Sequence, residues 1–143
     1  MTPIKFIDFD LLKNIENQKD PNTKGVYTIY YRPAEILFGD TNYDYKSDIW
    51  AIGCVLAEIF LKTPIFKSEN EFYLLDSITN IIGLINESSF PGVSKLSNYF
   101  ELDEPETVHF DKLMNGCEEN LKNLISLCLN LNPLKRPFCK DLL

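Results

Sequence analysis

The sequence predicts a mainly α fold in one domain spanning residues 1–143, and three runs of side chains carry that reading. Residues 48–61 are apolar with little interruption. Residues 69–82 and 118–131 repeat apolar side chains at helical spacing and run into Gly83 and Asn132-Pro133, both of which stop helices. At 143 residues, 45% hydrophobic and 24% charged, the chain has the composition of a globular protein able to bury a core.

In chain order, Ile4 to Phe9 alternates and is β-branched, as a short strand requires. The polar stretch from Lys13 to Gly25 carries Asn14, Asn17, Asp20-Pro21 and Gly25, which favour a surface loop. Ser47 is placed to cap a helix that begins at Asp48, whose carboxylate suits a first turn. Ile49, Trp50, Ile52, Val55, Leu56, Ile59 and Phe60 cover every face of that helix, so burial on all sides is expected. The next helix puts Phe72, Leu75, Ile78 and Ile82 on one stripe and reads as a surface helix. From Leu84 to Asn115 the periodicity weakens, with Pro91-Gly92 and Pro105 marking loops. The last full helix sets Leu121, Leu124, Ile125 and Cys128 on one face, and Cys139 to Leu143 reads as the opening of another.

The net charge of −7 argues against wrapping nucleic acid or lying on an anionic membrane, so a basic or neutral protein partner is expected. Cys54, Cys117, Cys128 and Cys139 form no CxxC pair and His109 is the only histidine, which speaks against zinc and for reduced, mostly buried thiols. Residues 1–8 lack the basic segment and apolar run of a secretory signal. The longest apolar stretch, 49–61, is broken by Glu58 and falls short of the roughly 20 residues a bilayer needs. An intracellular location, cytoplasmic or nuclear, is the expectation.

Asp8-Phe9-Asp10 sets a carboxylate at the end of the strand, a weak signal taken alone, because such a carboxylate is most often a solvated turn residue. Downstream lie Gly25-Val-Tyr-Thr-Ile-Tyr-Tyr-Arg-Pro-Ala-Glu-Ile-Leu-Phe-Gly39, then Asp48-Ile-Trp-Ala-Ile-Gly-Cys54, Ile85-Asn-Glu-Ser-Ser-Phe-Pro-Gly-Val93 and Leu131-Asn-Pro-Leu-Lys-Arg-Pro137. In order and spacing these closely resemble the C-terminal lobe of a protein kinase, most specifically of the cyclin-dependent, proline-directed group. The resemblance covers essentially the whole chain. It implies the large lobe of the kinase fold without its N-terminal lobe: a metal-binding triplet and activation segment over 8–35, a buried central helix over about 48–61, a group-specific insert over about 84–115 and distal helices over about 118–143.

By this resemblance Asp8 would hold the magnesium that bridges ATP phosphates, a role its oxygens suit. Thr23 falls on the activating phosphorylation site, where a phosphate gathers basic side chains; Lys13 stands where one such arginine is usual. Without that context Thr23 is an ordinary loop threonine. Val26, Tyr27 and Arg32 occupy the positions that shape the pocket for the substrate residue after the phosphoacceptor, and favour proline there. Thr28 would bond to the catalytic base. Glu35 would pair with Arg136 inside the lobe, and Asp48 would either brace the catalytic loop or simply cap its helix. Three departures stand out: Asp10 replaces the usual glycine, Pro33-Ala34 reverses the usual Ala-Pro, and Phe90 replaces a tryptophan. Asp10 tolerates positive φ less well than glycine and adds negative charge near the place of the phosphates, so a decayed site is a further reading.

The 143 residues contain no Gly-rich loop, no strand lysine paired to a helix glutamate and no His-Arg-Asp segment. No catalytic residue is therefore assigned, and the base is expected upstream of Met1. Two functions follow. By the resemblance the chain would be part of a cyclin-dependent-like Ser/Thr kinase, with ATP and Mg2+ as the cofactors of the intact kinase and protein substrates and a cyclin-like subunit as its partners. Alternatively it is a non-catalytic lobe that acts as a protein-binding module. In either case the isolated chain is expected to be inactive. A decayed product that does not fold is the third possibility.

Overall fold

The computed structural model describes residues 5, 7–12, 22, 27–106 and 108–141. Among them the regular structure is helical. The described part of the expected strand, residue 5 and residues 7–9, takes no strand conformation, and Leu12 N–H donates to the Phe9 carbonyl at 3.0 Å in a turn.

A 3-10 turn, Ile29–Tyr31, leads to the short helix α1, Ala34–Leu37, which Pro33 enters at φ −78°. The long helix α2 is Lys46–Leu61. It starts two residues before Asp48, because Asp44 rather than Ser47 satisfies its first donors. The Asp44 carboxylate accepts from Lys46 N–H at 2.8 Å and its carbonyl from Ser47 N–H at 3.0 Å. The Ser47 hydroxyl is directed inward instead, to Glu35.

Helix α3, Glu71–Ile82, is capped by Asn70, whose Oδ1 accepts from Tyr73 N–H at 3.0 Å, and it ends at Gly83. Its buried side is Leu74, Leu75 and Ile78, so Phe72 does not belong to the buried stripe; it lies one turn beyond the edge of the core and is exposed. After a 3-10 turn at Val93–Lys95 comes the short α4, Phe110–Leu113, in the stretch where the sequence shows no clear period. Helix α5, Glu119–Cys128, starts where the Glu118 carboxylate accepts from Asn120 and Leu121 N–H, each at 3.0 Å. It stops three residues before Leu131. Asn132 does not close this helix but caps a separate 3-10 turn, Pro133–Lys135, accepting from Leu134 N–H at 3.0 Å. Cys139–Asp141 forms one further 3-10 turn.

The core gathers on α2. Trp50 stacks on Phe66 with ring centres 5.5 Å apart, and Leu74, Ile78, Met114 and Ile125 close around them. Helix α2 is not buried on all sides. Ile52, Val55 and Ile59, spaced three and four residues apart, form an open row with exposures of 42%, 46% and 59%. Cys54 and Cys128 are buried, Cys117 is half-buried and Cys139 is exposed, all as free thiols. Burial raises the Cys54 thiol well above its ordinary range, against the opposing charge of Arg136, and pushes Cys128 up to about 11. Among the described residues no helix is long and apolar enough to cross a membrane.

The approach of α2 to α5 is set by Gly53. A Cβ there would stand 2.7 Å from Cys128 Cβ and 3.0 Å from Leu129 Cδ2. Gly53→Ala is expected to force the two helices apart and destabilise the chain by about 1–3 kcal/mol, measured by urea unfolding, although alanine is the better helix former.

Candidate functional site

The centre of the site is a buried ion pair. Glu35 on α1 and Arg136 after the last proline-flanked turn are each only 1% exposed. The guanidinium meets both carboxylate oxygens, Nη1 to Oε1 at 2.6 Å and Nη2 to Oε2 at 2.9 Å. Its Nη1 also donates to the Lys46 carbonyl at 3.0 Å and its Nε to the Asn130 carbonyl at 2.9 Å. Ser47 Oγ–H donates to Glu35 Oε1 at 3.0 Å. The guanidinium carbon sits 5.0 Å from the centre of the Trp50 ring, a cation–π contact in dry surroundings. Lys46 Nζ donates to the Arg136 carbonyl and lies 4.1 Å from the centre of the Phe138 ring. The indole N–H of Trp50 has no hydrogen-bond partner among the described residues.

Around this centre runs the segment 27–32. Tyr27 adopts φ +70°, a strained conformation for a bulky side chain. Two contacts hold it there. Its hydroxyl donates to the Asp48 carboxylate, and its carbonyl accepts from Arg32 Nη2 at 3.0 Å. Arg32 also forms an ion pair with Glu71 at the start of α3. Four residues after Tyr27, the Tyr31 hydroxyl donates to Glu58 Oε2 at 2.8 Å. The segment is thus tied to both ends of α2 and to α3. Desolvation and the Asp48 carboxylate together raise the Tyr27 hydroxyl far above its ordinary range; at Tyr31 the bond to Glu58 does so first and burial second. Thr28 is exposed and its carbonyl accepts from Tyr31 N–H at 3.0 Å.

The structure therefore brings Tyr27, Arg32 and Asp48 into one network and Glu35 and Arg136 into another. Asp48 lies within the first turn of α2 and holds Tyr27 instead of capping. Asp8 stands apart, exposed and at φ +66°, while Asp10 does not take positive φ. Magnesium requires several oxygen ligands, and no group of three or more Asp, Glu, His or Cys assembles among the described residues. The described residues thus do not by themselves make a magnesium site around Asp8. Lys13, Thr23 and Val26 lie outside the described residues. Beside Thr23, Asn22 is buried; its N–H donates to the Thr41 carbonyl at 2.9 Å and its Nδ2 to the Tyr43 carbonyl at 2.6 Å. Sequence reasoning misses Asn22 and Glu71, for neither stands in a motif that announces a partner.

The whole chain, residues 1–143, matches the family described as protein kinase domain. It is similar to cyclin-dependent kinase 7 of Dictyostelium discoideum, with 34% identity over 140 residues that cover 98% of this chain and 39% of that protein. The probable serine/threonine-protein kinase KIN28 homolog of Encephalitozoon cuniculi is 32% identical over 138 residues, covering 96% of this chain and 44% of that protein. CTD kinase subunit alpha of Saccharomyces cerevisiae is 35% identical over 130 residues, covering 90% of this chain and 24% of that protein. The chain spans less than half the length of each of these relatives.

Arg136→Met leaves the Glu35 carboxylate buried without a counter-charge and is expected to cost about 3–5 kcal/mol in urea unfolding. Adding Glu35→Gln to it is expected to restore part of that loss, and a double variant less stable than the single would contradict the account. A pH series checks Tyr27. Its hydroxyl is raised on folding, so the stability it contributes is intact below the ordinary phenol value of 10.0 and is lost as pH rises above it. Tyr27→Phe is expected to flatten the decline of stability above pH 10 relative to the unaltered chain.

Proposed function

The chain belongs to the protein kinase family and is related to its cyclin-dependent Ser/Thr members, and from that membership we propose that it carries the substrate-recognition part of a kinase that transfers the ATP γ-phosphate to Ser or Thr, before Pro, in protein substrates. The observation that supports this most directly is the turned Tyr27 carbonyl, engaged by Arg32. A substrate residue seated against it finds that acceptor already taken. An N–H there would lose its water without gaining a partner, at a cost of about 1–3 kcal/mol. Proline has no N–H to leave unpaired.

In this reading Val26, Tyr27 and Arg32 form the pocket wall, and Thr28 faces the catalytic base. Thr23 is the phosphorylation switch, with Lys13 among its phosphate partners. Asp8 contributes one oxygen donor to a Mg2+ site whose further ligands are not among the described residues. ATP and Mg2+ are the proposed cofactors of the whole protein, and a cyclin-like regulatory subunit is a proposed partner. The second reading, a non-catalytic binding module, draws its support from the open apolar row Ile52, Val55 and Ile59.

Phosphate transfer from labelled ATP to a pair of peptides, one with Ser-Pro and one with Ser-Ala, separates these readings. The protein purified from its own cells is expected to prefer Ser-Pro, and Arg32→Met is expected to reduce that preference by about tenfold. Equal use of the two peptides by the unaltered protein overturns the proline-directed reading, and no transfer to either favours the module. The pure 143-residue chain is expected to transfer no phosphate, because positioning supplies most of phosphoryl-transfer catalysis and the sequence holds no Gly-rich loop, no strand lysine paired to a helix glutamate and no His-Arg-Asp segment.

A further inference from the structure

The charge of the chain is concentrated in one stretch. Residues 69–106 contain eight acidic residues and a single basic one, Lys95, which is −7, and the other 13 acidic and 13 basic residues cancel. Much of this stretch is exposed, and it includes three uncovered aromatic rings. Phe72, Tyr73 and Phe100 are 57%, 60% and 37% exposed. The rings form one ladder: Phe100 stacks on Phe72 with centres 5.6 Å apart and planes within 16°, and Tyr73 meets Phe72 edge-on at 5.7 Å.

The ladder is anchored. Phe100 contacts the fully buried Phe38 edge-on at 5.8 Å, and Asn98 N–H donates to the Phe38 carbonyl at 3.0 Å. The backbone at 97–98 lies so close to Gly39, at φ +82°, that a Cβ there would stand 2.5 Å from Ser97 Oγ. Carboxylates border the rings. Asp76 lies on the same face of α3 as Phe72 and Tyr73, one turn on, and Glu101 follows Phe100 directly. Glu71 is engaged by Arg32, whereas no ion pair among the described residues engages Asp76 or Glu101.

We propose that this aromatic and acidic face of α3 and the segment after Phe100 docks an arginine- or lysine-rich segment of a protein partner. A guanidinium stacks on the ring faces while its donors reach the flanking carboxylates, so the patch suits both parts of an arginine side chain. A second copy of the chain would bring an equal negative field against this one, and nucleic acid or an anionic membrane has the wrong sign. The proposal concerns binding, and it stands whether or not the chain takes part in phosphate transfer.

The test is fluorescence polarisation of the full 143-residue chain with a fluorescein-labelled peptide of repeating Arg-Ser-Leu, against a control peptide with Glu in place of Arg. The arginine peptide is expected to bind saturably and to weaken as sodium chloride is added. Asp76→Asn with Glu101→Gln is expected to weaken it by about tenfold, and Phe72→Ala with Phe100→Ala by at least as much. The carboxylate variant alters exposed positions only and decides the matter if the aromatic variant fails to fold. Equal binding of the Glu peptide, or unchanged affinity in the carboxylate variant, overturns the proposal. Self-association that the carboxylate variant abolishes, seen by sedimentation, also overturns it and assigns the face to a second copy.

Discussion

The Glu35–Arg136 pair is the interaction on which the remaining structure depends, because it ties α1, the start of α2 and the residues after α5 to one buried point. Its partners are α1, the first turn of α2, the Asn130 carbonyl and the plane of Trp50. Desolvating two charges is costly, and a well-packed apolar pair would often be as stable, so its contribution is better understood as specificity than as net stability. Four hydrogen bonds in the fixed fork of one guanidinium admit a single register for the residues after Pro133. Lys46 closes the same loop in the other direction through the Arg136 carbonyl. The exact start of α2 therefore matters: were it to begin at Asp48, neither the Lys46 carbonyl nor the Ser47 hydroxyl would be in place.

The segment 27–32 rests on that framework and stores strain against it. A tyrosine held at positive φ costs on the order of 1–3 kcal/mol, comparable to the net gain of its two hydrogen bonds at about 0.5–1.5 kcal/mol each. Near balance of that kind holds only while the partners stay fixed. Asp48 and Glu58 are ten residues apart on α2, about 15 Å along its axis, and they fix the distance between the Tyr27 and Tyr31 hydroxyls. A rigid helix thus acts as the ruler against which an otherwise irregular segment is set. Helix α2 is rigid because Trp50, Gly53 and Ala57 hold its inner face against Phe66 and α5.

How far the sequence can be read depends on whether a feature is local. The three long helices follow from apolar runs and helical spacing, with Gly83 ending α3 where expected, and Glu35 and Arg136 are legible because each sits in a motif of fixed spacing. Helix starts are less legible: Asp44 and Ser47 are both good capping residues, and only the position of the Glu35 carboxylate decides which side chain turns inward. Phe72 fits the helical stripe by spacing, but the core ends one turn short of it. The open row on α2 is invisible to periodicity, since a helix apolar on every face carries no record of which face is covered. The pairs Tyr27–Asp48 and Arg32–Glu71 depend on a backbone path with a residue at positive φ, for which a tyrosine gives no hint.

Helix α3 is where the two surfaces meet. Arg32 reaches from the segment 27–32 to Glu71 at its first turn, and the exposed ring of Phe72 follows directly in sequence. One guanidinium thus neutralises the carboxylate nearest the strained segment, while Asp76 and Glu101 stay uncompensated further along. At physiological ionic strength fields fade over about 8 Å, so carboxylates beyond the first turn of α3 act on what approaches the surface more than on Tyr27 or Arg32. The balance of 13 acidic and 13 basic residues elsewhere leaves the framework free of net repulsion. A fold centred on one buried ion pair can therefore carry its net charge in one stretch of the chain, residues 69–106, away from that pair in sequence.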